Sequence, residues 1–226
     1  MVPQQPPDIV LESVTPHPSL DGVEELTLNT SSGGIAARLH PAAAGAPAVV
    51  WVGGAGGGLD GPAMGMYPRL ARQLAEQGMA SLRLHYRRPG QLDACVADTL
   101  LGIRYLVEQR GARGVALVGH SFGGAVVIAA AVRSAAVTTV VALSSQTFGT
   151  DLVAQVSPRP LLLVHGAADE VLPAASSRNI FARARQPKEL RIYPGCRHGL
   201  DQCRAEVDQD VLRWLTEQLT AARAPG

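Results

Sequence analysis

Val115-Ala116-Leu117-Val118-Gly119-His120-Ser121-Phe122-Gly123-Gly124 is the stretch on which the fold turns. Its first four residues are all apolar, the pattern of a strand buried on both faces. The eight-residue apolar run Ala125–Val132 follows and reads as a buried helix. Between them a G-x-S-x-G turn brackets one serine. Such a turn between strand and helix holds the serine in an unfavourable backbone conformation, and Gly119 and Gly123 remove side chains that would clash there. The hydroxyl then projects at the carboxyl end of the sheet, where ligands bind in open α/β folds, over the first amides of the helix. Neither a G-x-G-x-x-G dinucleotide fingerprint nor a G-x-x-x-x-G-K-[ST] phosphate loop is present.

Outward from this stretch, β-type runs alternate with segments of helical length. The runs are Glu24–Leu28, Ile35–Leu39, Ala48–Val52, Ala80–His85, Val115–Val118, Thr139–Leu143, Leu161–Val164 and Leu190–Tyr193. The helical segments are Met66–Gln77, Leu92–Gln109, Phe122–Arg133, a short one near Asp151–Val156, Ala174–Arg185 and Gln202–Arg223. In the second of these, Leu92, Val96, Leu100, Ile103 and Val107 recur every three or four positions. Asn29–Gly34 is a hairpin-type turn, so the first two strands should be antiparallel. The remaining alternation predicts right-handed βαβ units. The expected architecture is one α/β domain over residues 21–226, with a mostly parallel eight-stranded sheet and helices on both faces. Residues 1–20 carry five prolines and read as an irregular arm.

The 226 residues are 46% hydrophobic and 17% charged, which excludes a disordered chain. With 20 Lys+Arg against 19 Asp+Glu, net charge gives no reason to expect nucleic acid or an anionic membrane as partner. No apolar run approaches the roughly 20 residues of a membrane span, and the first residues lack a signal-peptide pattern. A cytoplasmic protein is the default expectation. Three cysteines are too few for a disulfide scaffold, and free thiols at Cys196 and Cys203 are expected over a bond between them. No locally spaced ligand set suggests a metal.

A serine hydroxyl needs a base, and the base an orienting carboxylate. Of six histidines, His198 follows the last strand in a glycine-flanked loop, Gly195-Cys196-Arg197-His198-Gly199. The others lie before the core strands, in or at the end of a strand, or, for His120, in the elbow with the ring expected to point away from Ser121. Asp169 ends the loop after the strand Leu161–Val164, at the same sheet edge as Ser121. Glu170 should turn outward, and Asp201 fits better as a cap on the last helix. Ser121, Asp169 and His198 are thus the catalytic candidates. An oxyanion needs amide donors. The Phe122 amide is one; the glycine-rich loop Gly53–Gly58 offers Ala55 or Gly54 as the other. Met64, Tyr67 and Phe148 are candidates to wall an acyl pocket. Arg87 is a candidate for an anionic substrate group, with a solvated loop cation as the commoner outcome.

These motifs resemble the α/β-hydrolase superfamily over about residues 20–222. The chain looks most like its small, lid-free branch of dienelactone-hydrolase-like and esterase- or thioesterase-like proteins. The resemblance rests on Gly119–Gly124, on His165-Gly166-Ala167-Ala168-Asp169 and on Arg197-His198-Gly199. It departs at Gly53-Gly54, where many members have His-Gly, and at Ser121, where dienelactone hydrolases carry cysteine. Ser145 and Arg159 are 14 positions apart, too close for the helical lid that many lipases of the superfamily insert there, so no cap domain is expected. The resemblance implies a cofactor-free serine hydrolase acting on a small ester or thioester. An acyltransferase, a peptidase and a hydrolase-fold binding protein without turnover are the alternatives.

Overall fold

The computed structural model describes residues 9–221. The strands are β1 (Leu11–Pro16), β2 (Glu24–Thr30), β3 (Gly33–His40), β4 (Ala48–Val52), β5 (Ala80–His85), β6 (Val115–His120), β7 (Val137–Leu143), β8 (Leu161–Gly166) and β9 (Lys188–Tyr193). The helices are α1 (Pro62–Glu76), α2 (Leu92–Arg110), α3 (Phe122–Arg133), α4 (Ala175–Arg183) and α5 (Arg204–Ala221). One sheet of nine strands runs in the order β1-β2-β3-β5-β4-β6-β7-β8-β9. From β5 to β9 all pairings are parallel, and β1, β2 and β3 form an antiparallel extension at one edge.

The strand count corrects the eight expected. Part of the supposed irregular arm is β1, which pairs with β2 through Val14↔Leu28 and Leu26↔Pro16. Its one proline, Pro16, breaks no ladder because β1 is an edge strand, with one side free of partners among the described residues. Residues 1–8 of that arm lie outside the described residues.

The continuous apolar runs behave as their composition demands. Every residue of β4 and β8 is buried, because helices cover both faces. Helices α1 and α5 pack on one face over Val49, Trp51, Val118 and Val164, and α2, α3 and α4 cover the other over Val50, Val52, Leu117 and Leu163. Each such side chain fully removed from water stabilises the fold by about 1.5–3 kcal/mol. On α5, Val207, Val211 and Leu215 repeat every four residues toward the sheet, and Trp214 Nε1 donates to Thr139 Oγ1 at 2.9 Å.

The direction of winding reverses at β4: its neighbours β5 and β6 both follow it in the chain. The loops after β4 and β6 therefore diverge to opposite sides and leave a crevice at the carboxyl edge. The Cys196–Cys203 pair corrects a further expectation, since the two are disulfide-bonded with Cα atoms 5.8 Å apart. A 3-10 turn at Asp201–Cys203 folds the chain back to that separation, within the span a disulfide bridges. The bond ties the His198 loop to the start of α5.

Candidate active site

Ser121 stands between β6 and α3 with φ 58° and ψ −119°, a strained conformation for a residue with a Cβ. The elbow is tight because two glycines allow it. A Cβ on Gly119 would run into the Gly123 carbonyl, and one on Gly123 into the Gly53 carbonyl. The loop after β4 thereby lies against the elbow, and the space for a Gly54 Cβ lies 3.6 Å from Ser121 Cβ.

That loop is held from below by side chains the sequence reading assigned elsewhere or passed over. Tyr67 hydroxyl donates to the Val52 carbonyl at 2.9 Å and Tyr86 hydroxyl to the Gly53 carbonyl at 3.2 Å. His85 Nδ1 accepts from the Gly58 amide at 2.9 Å, and Arg83 donates to the Leu59 carbonyl at 3.2 Å. Tyr67 is fully buried beside Trp51, so it supports the loop from the core and does not wall an acyl pocket. Gly57 donates back to the Gly54 carbonyl at 2.9 Å across a bridge between the two, with Ala55 at the exposed tip of the turn.

Asp169 follows β8, and its side chain is fully buried. Oδ1 accepts the amides of Val171 and Leu172 at 2.8 and 2.7 Å. Oδ2 lies 2.8 Å from His198 Nδ1 and 3.0 Å from His165 Nε2. Burial pushes the carboxyl pKa up, but the Leu172 amide, His198 and the Val171 amide outweigh it and leave it below the usual range. Asp169 is thus a carboxylate at neutral pH. His198 Nδ1–H is donated to it, which leaves Nε2 as the free acceptor of that ring. The His198 side chain is 15% exposed.

His120 does not simply point away. Its Nε2 lies 3.0 Å from the His198 carbonyl, and the two rings are 4.8 Å apart. It braces the His198 loop from the elbow itself. The signal available in the sequence was only its place beside Ser121. Glu170 is exposed as expected, with Oε2 3.4 Å from the His198 amide. Asp201 accepts the Met64 amide at 3.0 Å instead of capping α5. This holds a left-handed turn at Ala63, Met64 and Gly65, with φ of 52°, 54° and 83°, ahead of the regular helix from Met66.

Among the other candidates, Met64, in the left-handed turn that opens α1, is 70% exposed, and Phe148, in the loop after β7, 76%. Phe148 follows Gln146, whose amide lies 3.4 Å from the Ser121 carbonyl. Arg87 is neither solvated nor free for substrate. Its Nε donates to Asp98 at 2.6 Å, with both side chains buried, and a second guanidinium nitrogen reaches the Ser32 carbonyl. It ties the β2–β3 turn to α2. Among the described residues, no group of three His, Cys, Asp or Glu could hold a metal ion, and no helix is long and apolar enough to cross a membrane.

Two histidines make the fold acid-sensitive. Burial lowers the His120 pKa to about 4, and burial with the Arg83 and Arg72 charges lowers that of His40 to about 4. In the unfolded chain both protonate near 6.5. Stability is therefore complete above that value and is lost as pH falls toward 4. Keeping one such ring neutral over that interval is worth on the order of 3 kcal/mol, less where the ring retains some water contact. The urea midpoint is expected to fall between pH 7 and pH 4, and to fall less in His40→Gln. An identical midpoint at both pH values would contradict it.

An antiparallel edge, a parallel core, a strained serine after β6 and an Asp–His pair after β8 and β9 define the α/β-hydrolase fold. The solved structures agree. Dienelactone hydrolase from Anabaena variabilis superposes with a TM-score of 0.76 at 16% identity, covering 87% of this chain and 99% of that one. XC6422 from Xanthomonas campestris, described as an α/β serine hydrolase without a lid, gives 0.72 at 19% identity over 92% and 99%. Est1E from Butyrivibrio proteoclasticus gives 0.71 at 19% over 87% and 99%. At the sequence level, a family model for serine aminopeptidases of the S33 type matches residues 150–201, the part that carries Asp169 and His198. The uncharacterised protein YfhR of Escherichia coli K12 is 44% identical over 50 residues, which span 22% of this chain and only 18% of that protein.

Proposed function

We propose that the protein is a serine hydrolase that cleaves small carboxylic esters through an acyl-enzyme. The observation that carries this reading is the 2.8 Å bond from His198 Nδ1 to the buried Asp169 carboxylate, at the sheet edge where Ser121 is held at φ 58°. Ser121 Oγ attacks the carbonyl carbon while His198 Nε2 takes its proton. The oxyanion forms against the Phe122 amide at the start of α3 and the Ala55 amide. Ala55 is preferred over Gly54 because the Gly54 carbonyl accepts from Gly57, so the trans peptide it shares with Ala55 turns the Ala55 N–H the opposite way. His198 then returns the proton to the leaving oxygen, and water repeats the sequence in reverse to release the acid. A thioester fits the same steps. A fluorophosphonate probe tests the reading: wild-type protein should be labelled and Ser121→Ala should not. Absence of labelling in the wild type would favour a binding protein.

The mouth of the site favours a short acyl group. Met66 and Tyr67 are fully buried in the core. Apolar side chains at the rim, Met64, Phe148 and Val171, are largely exposed and cover little of a ligand. A methylene gains about 0.8 kcal/mol only where it is buried. Across C2 to C12 nitrophenyl esters, kcat/KM is expected to rise over the first methylenes and level off by about six carbons. A steady rise to C12 would instead demand a longer acyl site.

A further inference from the structure

Asp169 is met by a second histidine that the proposed chemistry does not use. His165, near the end of β8, has no exposed side-chain surface. Its Nδ1 lies 2.7 Å from Ser177 Oγ, and its Nε2 lies 3.0 Å from the Leu172 carbonyl. The same Nε2 is 3.0 Å from Asp169 Oδ2. Both neighbours of Nε2 are acceptors, a carbonyl and a carboxylate, so the ring hydrogen sits on Nε2. Nδ1 is then the acceptor, and the buried Ser177 hydroxyl on α4 donates to it. The tautomer follows from the partners alone. Burial, as the largest influence, keeps the ring neutral.

We infer that His165, locked in this tautomer by Ser177, is a positioning residue that sets Asp169 Oδ2 in place to receive His198 Nδ1–H. A histidine that served packing alone would be satisfied by Ser177 and Leu172. Here the nitrogen that is bound to Leu172 also lies 3.0 Å from the oxygen to which the base is bound, itself 2.8 Å from His198 Nδ1. It further holds the Leu172 carbonyl, whose own amide fastens Asp169 Oδ1 at 2.7 Å. Both oxygens of the carboxylate are thus met by His165, Oδ2 through the close, favourable approach of Nε2 and Oδ1 through the 169–172 turn. The line of contacts runs from α4 through β8 to the loop after β9, so three elements share one alignment. The inference rests on the proposed serine hydrolase reading.

The test uses the full chain with 4-nitrophenyl acetate, measuring kcat, KM, the rate of fluorophosphonate labelling and Tm. Ser121→Ala is run alongside, so a wrong nucleophile and a wrong positioning role give different results. His165→Leu, which keeps bulk and removes the N–H, is expected to lower kcat and labelling rate by about 10- to 100-fold with KM little changed, the cost of a misplaced catalytic group. His165→Gln places a side-chain amide N–H near the Nε2 position and should recover most of that loss. Ser177→Ala frees the tautomer without opening a large cavity and should lower kcat by roughly five-fold, the equivalent of one hydrogen bond. It decides the matter if His165→Leu does not fold. A folded His165→Leu or Ser177→Ala with wild-type kcat, or a Gln variant no better than Leu, would overturn the inference while Ser121-dependent activity remained.

Discussion

Ser121→Ala is expected to lower kcat by more than about a thousandfold, because loss of a triad nucleophile removes the covalent path and leaves only binding and oxyanion contacts. Stability should hardly move. Ser121 is only partly buried, and its side chain has no hydrogen bond among the described residues that alanine would forfeit. Alanine carries the same Cβ into the same φ of 58°, so the backbone strain is unchanged. A surface-level effect of within about 0.5 kcal/mol is the expectation. The check is kcat on 4-nitrophenyl acetate beside a thermal melt. Retention of more than a thousandth of wild-type kcat with an intact fold would move the nucleophile elsewhere. A coincident loss of Tm would mean that activity fell with the fold, against the strain argument.

What the sequence made legible is what depends on local pattern. The short unbroken apolar runs of β4, β6 and β8, set between turn signals, have the pattern of strands buried on both faces, and Gly119, Ser121 and Gly123 marked the turn that follows β6. That Asp169 and His198 meet was legible because each follows a strand of that same sheet, and parallel strands deliver their following loops to one edge. The misreadings share a different cause. β1 exists through its ladder with β2, and nothing within Leu11–Pro16 announces that pairing. Tyr67 and Arg87 carry long side chains whose destination is set by a distant partner, the Val52 carbonyl for one and Asp98 for the other. The Cys196–Cys203 bond depends on a 3-10 turn that sequence spacing did not reveal. The supports of the site, His85, His120 and His165, were each assigned a position correctly and a role not at all, because their partners lie 27, 78 and 12 positions away at Gly58, His198 and Ser177.

Asp169→Asn is expected to cost kcat about ten-thousandfold, as the loss of the orienting carboxylate does in triads of this kind. The reason lies in the donors around it. The Val171 and Leu172 amides both point at Oδ1, at 2.8 and 2.7 Å, so an asparagine must put its carbonyl oxygen there. Its NH₂ group then takes the place of Oδ2 and faces His198 Nδ1 and His165 Nε2. Toward His198 it donates, which forces Nδ1 to accept and moves the ring hydrogen to Nε2. An Nε2–H cannot take the serine proton, so the nucleophile is left unactivated while every heavy atom stays near its place. Toward His165 it sets a donor against a donor, worth about 1–3 kcal/mol of stability. The variant should therefore fold with a lowered Tm, keep its affinity for ester substrate, and fail in acylation. Stopped-flow release of nitrophenolate measures the acylation step directly. If more than about a tenth of the acylation rate survives, an effect of under ~1.4 kcal/mol, Asp169 is not the orienting acid. The role would then pass to Glu170, whose Oε2 already lies 3.4 Å from the His198 amide.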